Sequence, residues 1–231
     1  MSTPRTSPVN QTWSPNPGAS TLSLPEQIAE KIGNEIIDGE REPGSRISET
    51  DIASRFTVSR SPVREALRIL EREGLVQINA RRGAQVTALS LDEVQHIFDP
   101  RIVLNGLLAR RVAERRDEQF AERFSSWVQA LPETAENGDT ASYVDAVFAT
   151  HRLLASGCDN PFLVQLVFSL AHQTVRYTRL GLSTKARRQE SARKWCELSQ
   201  AIQNQDGDKA ESLVRKLVQE SRDMALKKLS K

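Results

Sequence analysis

Apolar positions recur at helical spacing along nearly the whole chain after residue 22. Ile28, Ile32, Ile36 and Ile37 follow Ser23-Leu24-Pro25-Glu26, whose Ser and Glu stand at capping-box spacing, so a helix is predicted over 24–39. Gly39 and Pro43-Gly44 end it. Ser48-Glu49-Thr50-Asp51 opens a second helix, with Ile52, Ala53 and Phe56 inward, that stops near Thr57. Ser59-Arg60-Ser61-Pro62 opens a third, with Val63, Ala66, Leu67 and Leu70 inward, closed by Gly74. The period then changes to two: Leu75–Ile78 and Gln85–Thr87 alternate as strands about a loop from Asn79 to Ala84. From Ser90 the helical period returns. It predicts helices over 90–116, 117–130, 141–156, 161–183, 186–205 and 208–229, with Pro100 kinking or restarting the first of them. Breaks fall at Pro132–Asp139, Gly157–Pro161 and Gln205–Asp208.

Three parts follow. Residues 1–22 hold Pro4, Pro8, Pro15 and Pro17 among Ser and Thr, too little apolar surface to order a chain, and are read as a disordered arm. Trp13 in that arm either docks elsewhere or stays idle. Residues 23–89 run helix, helix, short turn, helix, hairpin, the order of a winged helix-turn-helix. Residues 90–231 form an antiparallel bundle of six to seven helices. The fold class is therefore mainly α.

Charge sharpens this picture. The net charge of +2 is small, but residues 52–89 carry seven arginines against three acidic residues. Such a cluster suits phosphate. Ser59, Arg60, Ser61 and Arg64 stand at the start of the third helix, where backbone N–H groups face outward and side chains enter the major groove of DNA. Arg60 and Arg64 are four apart, on one face, and an arginine fork matches the O6/N7 pair of guanine. Arg81-Arg82-Gly83 marks the hairpin tip. The competing reading of such arginines is a solvated face paired with Glu65 and Glu71, which fits Arg68 and Arg72 better.

The run Pro43-Gly44, Ile47-Ser48-Glu49, Ile52-Ala53, Val58-Ser59-Arg60-Ser61-Pro62-Val63-Arg64-Glu65-Ala66-Leu67, Leu70-Glu71, Gly74-Leu75-Val76, Arg82-Gly83 and Val86 resembles the N-terminal domain of the GntR family of bacterial transcription regulators. The resemblance implies a homodimer on a short palindromic operator in double-stranded DNA, usually as a repressor. It places DNA contacts on Ser59, Arg60, Ser61, Arg64, Arg82 and Gly83. Thr50 stands where relatives often carry Arg before the second helix.

Residues 90–229, through Arg101 with Leu104 and Leu108 and through Asp159-Asn160-Pro161, resemble the helical ligand-binding domain of the FadR-type subfamily. Many relatives hold a metal there through one Asp and three His. Here His151 matches the first His, but Val147, Trp195 and Leu217 stand at the other positions, so no bound metal is predicted. His151 is then either a core or a pocket residue. The resemblance implies a small organic acid as effector, which without a metal calls for arginine. Arg101 is the expected anchor, with His151, His172, Arg176 and Trp195 around it; Arg179 shares a face with His172 and Arg176. The alternative is a bundle that only dimerises, with no effector.

Other classes fall away. Three histidines (His96, His151, His172) and two cysteines (Cys158, Cys196) offer no nucleophile–base pair, so no enzyme and no cofactor are expected. With no long apolar run, no secretory signal and no cysteine framework, a cytoplasmic protein without a membrane partner is expected.

Overall fold

The computed structural model describes residues 21–79, 83–115 and 117–230. Its N-terminal part runs α1 (Leu24–Asp38), β1 (Arg46–Ile47), α2 (Glu49–Phe56), α3 (Arg60–Arg72), β2 (Val76–Asn79) and β3 (Gly83–Val86). Helix starts follow the predicted caps. Ser23 and Glu26 form a capping box on α1, and the Ser48 hydroxyl accepts the Asp51 N–H at 3.2 Å. The apolar faces of α1 and α3 meet: Ile28, Ile32, Val63, Leu67 and Leu70 are fully buried.

The sheet has three strands in the order β1-β3-β2, all antiparallel. Val76 pairs Val86 and Asn79 pairs Gly83, so the hairpin begins one residue later, and returns two residues earlier, than its alternation suggests. Strand β1 has no counterpart in the sequence reading. Two residues are too short to show a period, and Arg46–Ile47 is extended only because Arg46 pairs with Gln85 and Ile47 with Ala84. Arg82, Trp13 and nearly all of the predicted arm lie outside the described residues.

The bundle comprises α4 (Leu91–Glu114), α5 (Glu118–Val128), α6 (Leu131–Asn137), α7 (Thr140–Ser156), α8 (Pro161–Gly181), α9 (Lys185–Gln203) and α10 (Gly207–Leu229). Helix α4 packs lengthwise on α10 and both pack on α8, while α5 and α6 lie on α9. Two details correct the sequence reading. The stretch from Pro132, taken as a break, is helix α6, because a proline in the first turn removes only an N–H that has no helical acceptor. Helix α4 does not restart at Pro100. The missing N–H falls on the solvent side, where water can take the freed carbonyl.

One buried carboxylate ties the DNA-binding part together. Glu35 on α1 is 6% exposed and accepts from Arg41 Nε at 2.8 Å and Arg55 Nη2 at 2.5 Å. Burial alone would raise its pKa, but the hydrogen bonds from Arg55 and Arg41 outweigh burial and hold it below the usual carboxylate value. Since the folded-state pKa is depressed, this stabilisation is present above the ordinary pKa and is lost as pH falls through it. Glu35→Ala is expected to cost about 1–3 kcal/mol in urea unfolding at pH 7, the range for hydrogen bonds to charged groups, and the deficit should shrink toward pH 3.

Candidate functional site

The outer surface of α3 is built for a polyanion. Ser59 is its N-cap but makes no side-chain hydrogen bond to the helix, so the first-turn N–H groups stay available to an external acceptor. Ser59, Arg60, Ser61 and Arg64 are all exposed, as are Thr50 at the start of α2 and Gly83 at the end of the wing loop. The structure thus brings Thr50 and the start of α3 to one side. Arg64 Nε bonds Glu49 Oε2 at 2.8 Å, a partner on α2 that helical spacing could not reveal. With Arg64 63% exposed, that pair is weakly held and can be exchanged for phosphate or base. Exposed Arg46 on β1 adds a cation beside the wing that the sequence reading missed. Gly83 has φ +74°, a backbone state open to glycine without strain.

The bundle interior holds a second arrangement. Arg101, in the middle of α4, is 3% exposed. Its Nη1 donates to Thr178 Oγ1 on α8 at 3.0 Å, and its guanidinium carbon lies 5.0 Å from the Phe98 ring centroid. Its Nε is buried without a partner, and among the described residues it forms no ion pair. Burial lowers the guanidinium pKa to about 10, so it stays charged at neutral pH.

His151 on α7 stands beside this cation. Its ring meets Trp195 of α9 edge-on, with centroids 5.0 Å apart. Trp195 is 1% exposed and its Nε1 has no partner. His151 is of intermediate exposure. Burial first, and the Arg101 charge second, push its pKa down to about 3, so the ring is neutral at pH 7. Val147 and Leu217, at the positions the metal-binding relatives fill with ligands, are buried apolar side chains. Among the described residues no three His, Cys, Asp or Glu come together. One imidazole beside an indole offers too few donors for a metal ion.

His172 and Arg176 are corrected: they do not join this interior. Arg176 is two residues from Thr178, about 200° round the helix at 3.6 residues per turn. This face of α8 meets the DNA-binding part instead. His172 Nδ1 lies 2.7 Å from Glu73 Oε2, and Arg179 Nη1 binds Asp38 Oδ1 at 2.9 Å and the Ile37 carbonyl at 3.2 Å. Tyr177 Oη accepts the Leu89 N–H at 3.3 Å. Arg176 and His172 border a crevice of about 20 Å³ with Gly74 and Thr87, room for little more than a water molecule. Gly74 has φ +71° and a Cβ there would lie 2.5 Å from Gln173, so this residue lets α8 approach. Helix α8 therefore touches Arg101 through Thr178 and the DNA-binding part through its opposite side.

A winged helix-turn-helix with an exposed basic recognition helix, joined to a helical bundle around a buried cation, defines a DNA-binding regulator with a sensor-type domain. Comparison with known proteins agrees. Residues 24–86 match the model for bacterial regulatory proteins of the gntR family, and residues 96–220 match the FCD domain. The chain is 32% identical over 173 residues to an HTH-type transcriptional regulator, BphR, of Paraburkholderia xenovorans, covering 72% of this chain and 71% of that protein. It is 26% identical to a gluconate operon transcriptional repressor of Bacillus licheniformis, over 93% of this chain and 84% of the relative. Such matches span from 50% to 96% of the relatives' lengths. Among solved structures, E. coli McbR/YncC has the same fold, with TM-score 0.76 at 17% identity over 90% of this chain and 100% of the other. The protein belongs to the GntR family of transcription regulators and carries an FCD domain of the FadR-like kind. No helix among the described residues is long and apolar enough to cross a membrane.

The neutral His151 gives a pH signature. Its folded-state pKa lies below the ordinary value of 6.5, so between pH 6.5 and about 3 the unfolded chain takes a proton that the folded chain refuses, and stability falls with pH. Replacing His151 by Asn should reduce the loss of unfolding free energy between pH 7 and 4.5 by about 1–3 kcal/mol relative to wild type, at 1.36 kcal/mol per unit of pKa difference. An identical pH profile in the two proteins would contradict the assignment.

Proposed function

We propose that this regulator is a dimeric repressor whose operator affinity is set by a small organic acid bound at Arg101. The observation that carries the reading is a buried guanidinium that donates to one hydroxyl and to no carboxylate. A charge in that state is costly, and an anion entering the bundle relieves it. The relative named for a gluconate operon, an operon of a sugar acid, adds support. The alternative, a bundle that only dimerises, would leave the cation without a purpose.

Two routes connect Arg101 to the DNA. Four residues separate β3 from helix α4, so Arg101 sits on the element that leaves the wing. Helix α8 carries Thr178 on one side and Tyr177, His172 and Arg179 against α1, Glu73 and Leu89 on the other. An anion held against Arg101 and α8 alters the seat of α8 on the DNA-binding part. Such coupling requires that the anion prefer one domain arrangement over the other.

Symmetry supplies the rest. One recognition helix covers one half-site, and a two-fold dimer matches a palindrome. Val103 with Leu107 on α4, and Phe162 with Leu166 on α8, leave apolar surface open on the bundle, which supports dimerisation there. Residues 90–231 alone are therefore expected to sediment as a dimer; a monomer would move the contact to the N-terminal part.

DNA binding and sensing separate by mutation. Arg60→Ala should weaken specific operator binding by about 1–3 kcal/mol and relax one base position, as for a lost bidentate guanine contact. Arg82→Ala should weaken all sequences more evenly and lower the salt dependence. Arg101→Ala should bind operator normally and lose the response to organic acids. Fluorescence anisotropy on operator DNA with and without an organic-acid mixture reads all three. An Arg101→Ala protein that still responds would contradict the sensing role.

A further inference from the structure

Among the described residues, helix α8 grips the DNA-binding part at three points. At the end of the recognition helix, His172 Nδ1 lies 2.7 Å from Oε2 of Glu73, the C-cap residue of α3. Gly74, next in the chain, packs so close to Gln173 that a Cβ would meet it at 2.5 Å. At the end of α1, Arg179 Nη1 donates to the Ile37 carbonyl at 3.2 Å and to Asp38 Oδ1 at 2.9 Å. Beyond the wing, the Leu89 N–H donates to Tyr177 Oη at 3.3 Å. Arg179 lies within about 20° of His172 round α8, but Tyr177 stands about 140° from it, so the contacts do not form one row along the helix. Two attachment points leave a hinge axis; three points off one line fix an orientation. Domains joined by a short connection otherwise move against each other by default.

The grip reaches the reading end through a stiff rod. Helix α3 runs from Arg60 to Arg72, about 20 Å at 1.5 Å per residue. Helix α8 holds its C-terminal end, and the exposed Arg60 and Arg64 stand at the other. The direction of each recognition helix is thus set by its own bundle. In a dimer joined bundle to bundle, the separation and twist between the two recognition helices are then set as well. DNA turns that geometry into a spacing, because each added base pair moves a half-site by about 3.4 Å along the axis and roughly 35° around it. We propose that the α8 contacts, with Arg179 and Asp38 as an interdomain positioning pair, determine which spacing between operator half-sites this regulator accepts. This rests on the dimeric reading above. The pair acts through orientation, since it binds α8 to the far end of α1 and carries no part of the recognition surface.

The test uses the full-length protein and the palindrome it selects from a random double-stranded library, with one or two base pairs added to or removed from its centre. Two further duplexes, one with a single half-site kept and one with both scrambled, report half-site recognition alone. In fluorescence anisotropy the wild type should lose roughly tenfold or more in affinity at every spacing but one. Arg179→Glu sets two carboxylates together and Asp38→Arg sets two guanidinium groups together. Each should bring the neighbouring spacings within about threefold of the preferred one, as for half-sites joined by a loose tether. The affinity ratio of the two half-site duplexes should stay within about twofold of wild type, as expected for a distant and independent site. The double variant, with the pair reversed, should again discriminate roughly tenfold. Single variants as selective as wild type, or a double variant no more selective than the singles, would overturn the inference. So would loss of half-site recognition in a single variant, because the pair would then serve the fold of the DNA-binding part. A dimer on a palindrome that accepts all spacings equally would overturn the inference and leave the dimeric reading intact. A monomer in sedimentation, or a selected site without two-fold symmetry, would overturn both.

Discussion

In the middle of the bundle the Arg101 guanidinium donates to a hydroxyl and lies over an aromatic ring, and among the described residues it pairs with no carboxylate. Much of the C-terminal part is arranged by that fact. The positive charge of Arg101 helps to keep His151 unprotonated, and the His151 ring packs on Trp195, which fills what is a ligand position in metal-binding relatives. Among the described residues Arg101 has no carboxylate partner, and no three potential metal ligands come together. An interior charge is tolerable when binding energy is to be drawn from it: the penalty of the empty state becomes affinity in the filled state.

The same helix that touches Arg101 holds the DNA-binding part. Thr178 faces inward, while Tyr177 and Arg179, its neighbours in sequence, reach Leu89 and Ile37. A helix is stiff, and packed interfaces shift between discrete arrangements rather than deforming smoothly. Helix α8 thus forms one packed element between Thr178 and the recognition domain. Gly74 permits the close approach of Gln173, so this contact is built into the backbone at the end of α3.

Most of the fold was legible in the chain. Helix starts carry their own chemistry in Ser23, Ser48 and Ser90, and the basic recognition helix announces itself through Arg60 and Arg64. What escaped depended on partners far away in sequence. Strand β1 is extended only by pairing with β3. Glu35 looks like any polar helical residue until Arg41 and Arg55 fold over it. His172 and Arg176 were grouped correctly as one face, but a period cannot say which neighbour a face meets, and they met the DNA-binding part rather than the bundle interior. Arg101 and Trp195 could be singled out because a resemblance supplied the positions that their neighbours had vacated.

The claim on which everything else rests is that Arg101 is a buried charge the protein itself does not neutralise. Urea unfolding of Arg101→Met without added ligand measures this directly. An uncompensated cation replaced by an apolar side chain of similar volume should leave the protein as stable as wild type or more stable, whereas breaking a compensated buried ion pair typically costs about 3–5 kcal/mol. Equal or higher stability is the result predicted here. A loss of that size would mean that the folded chain already supplies the counter-charge, and would contradict the account.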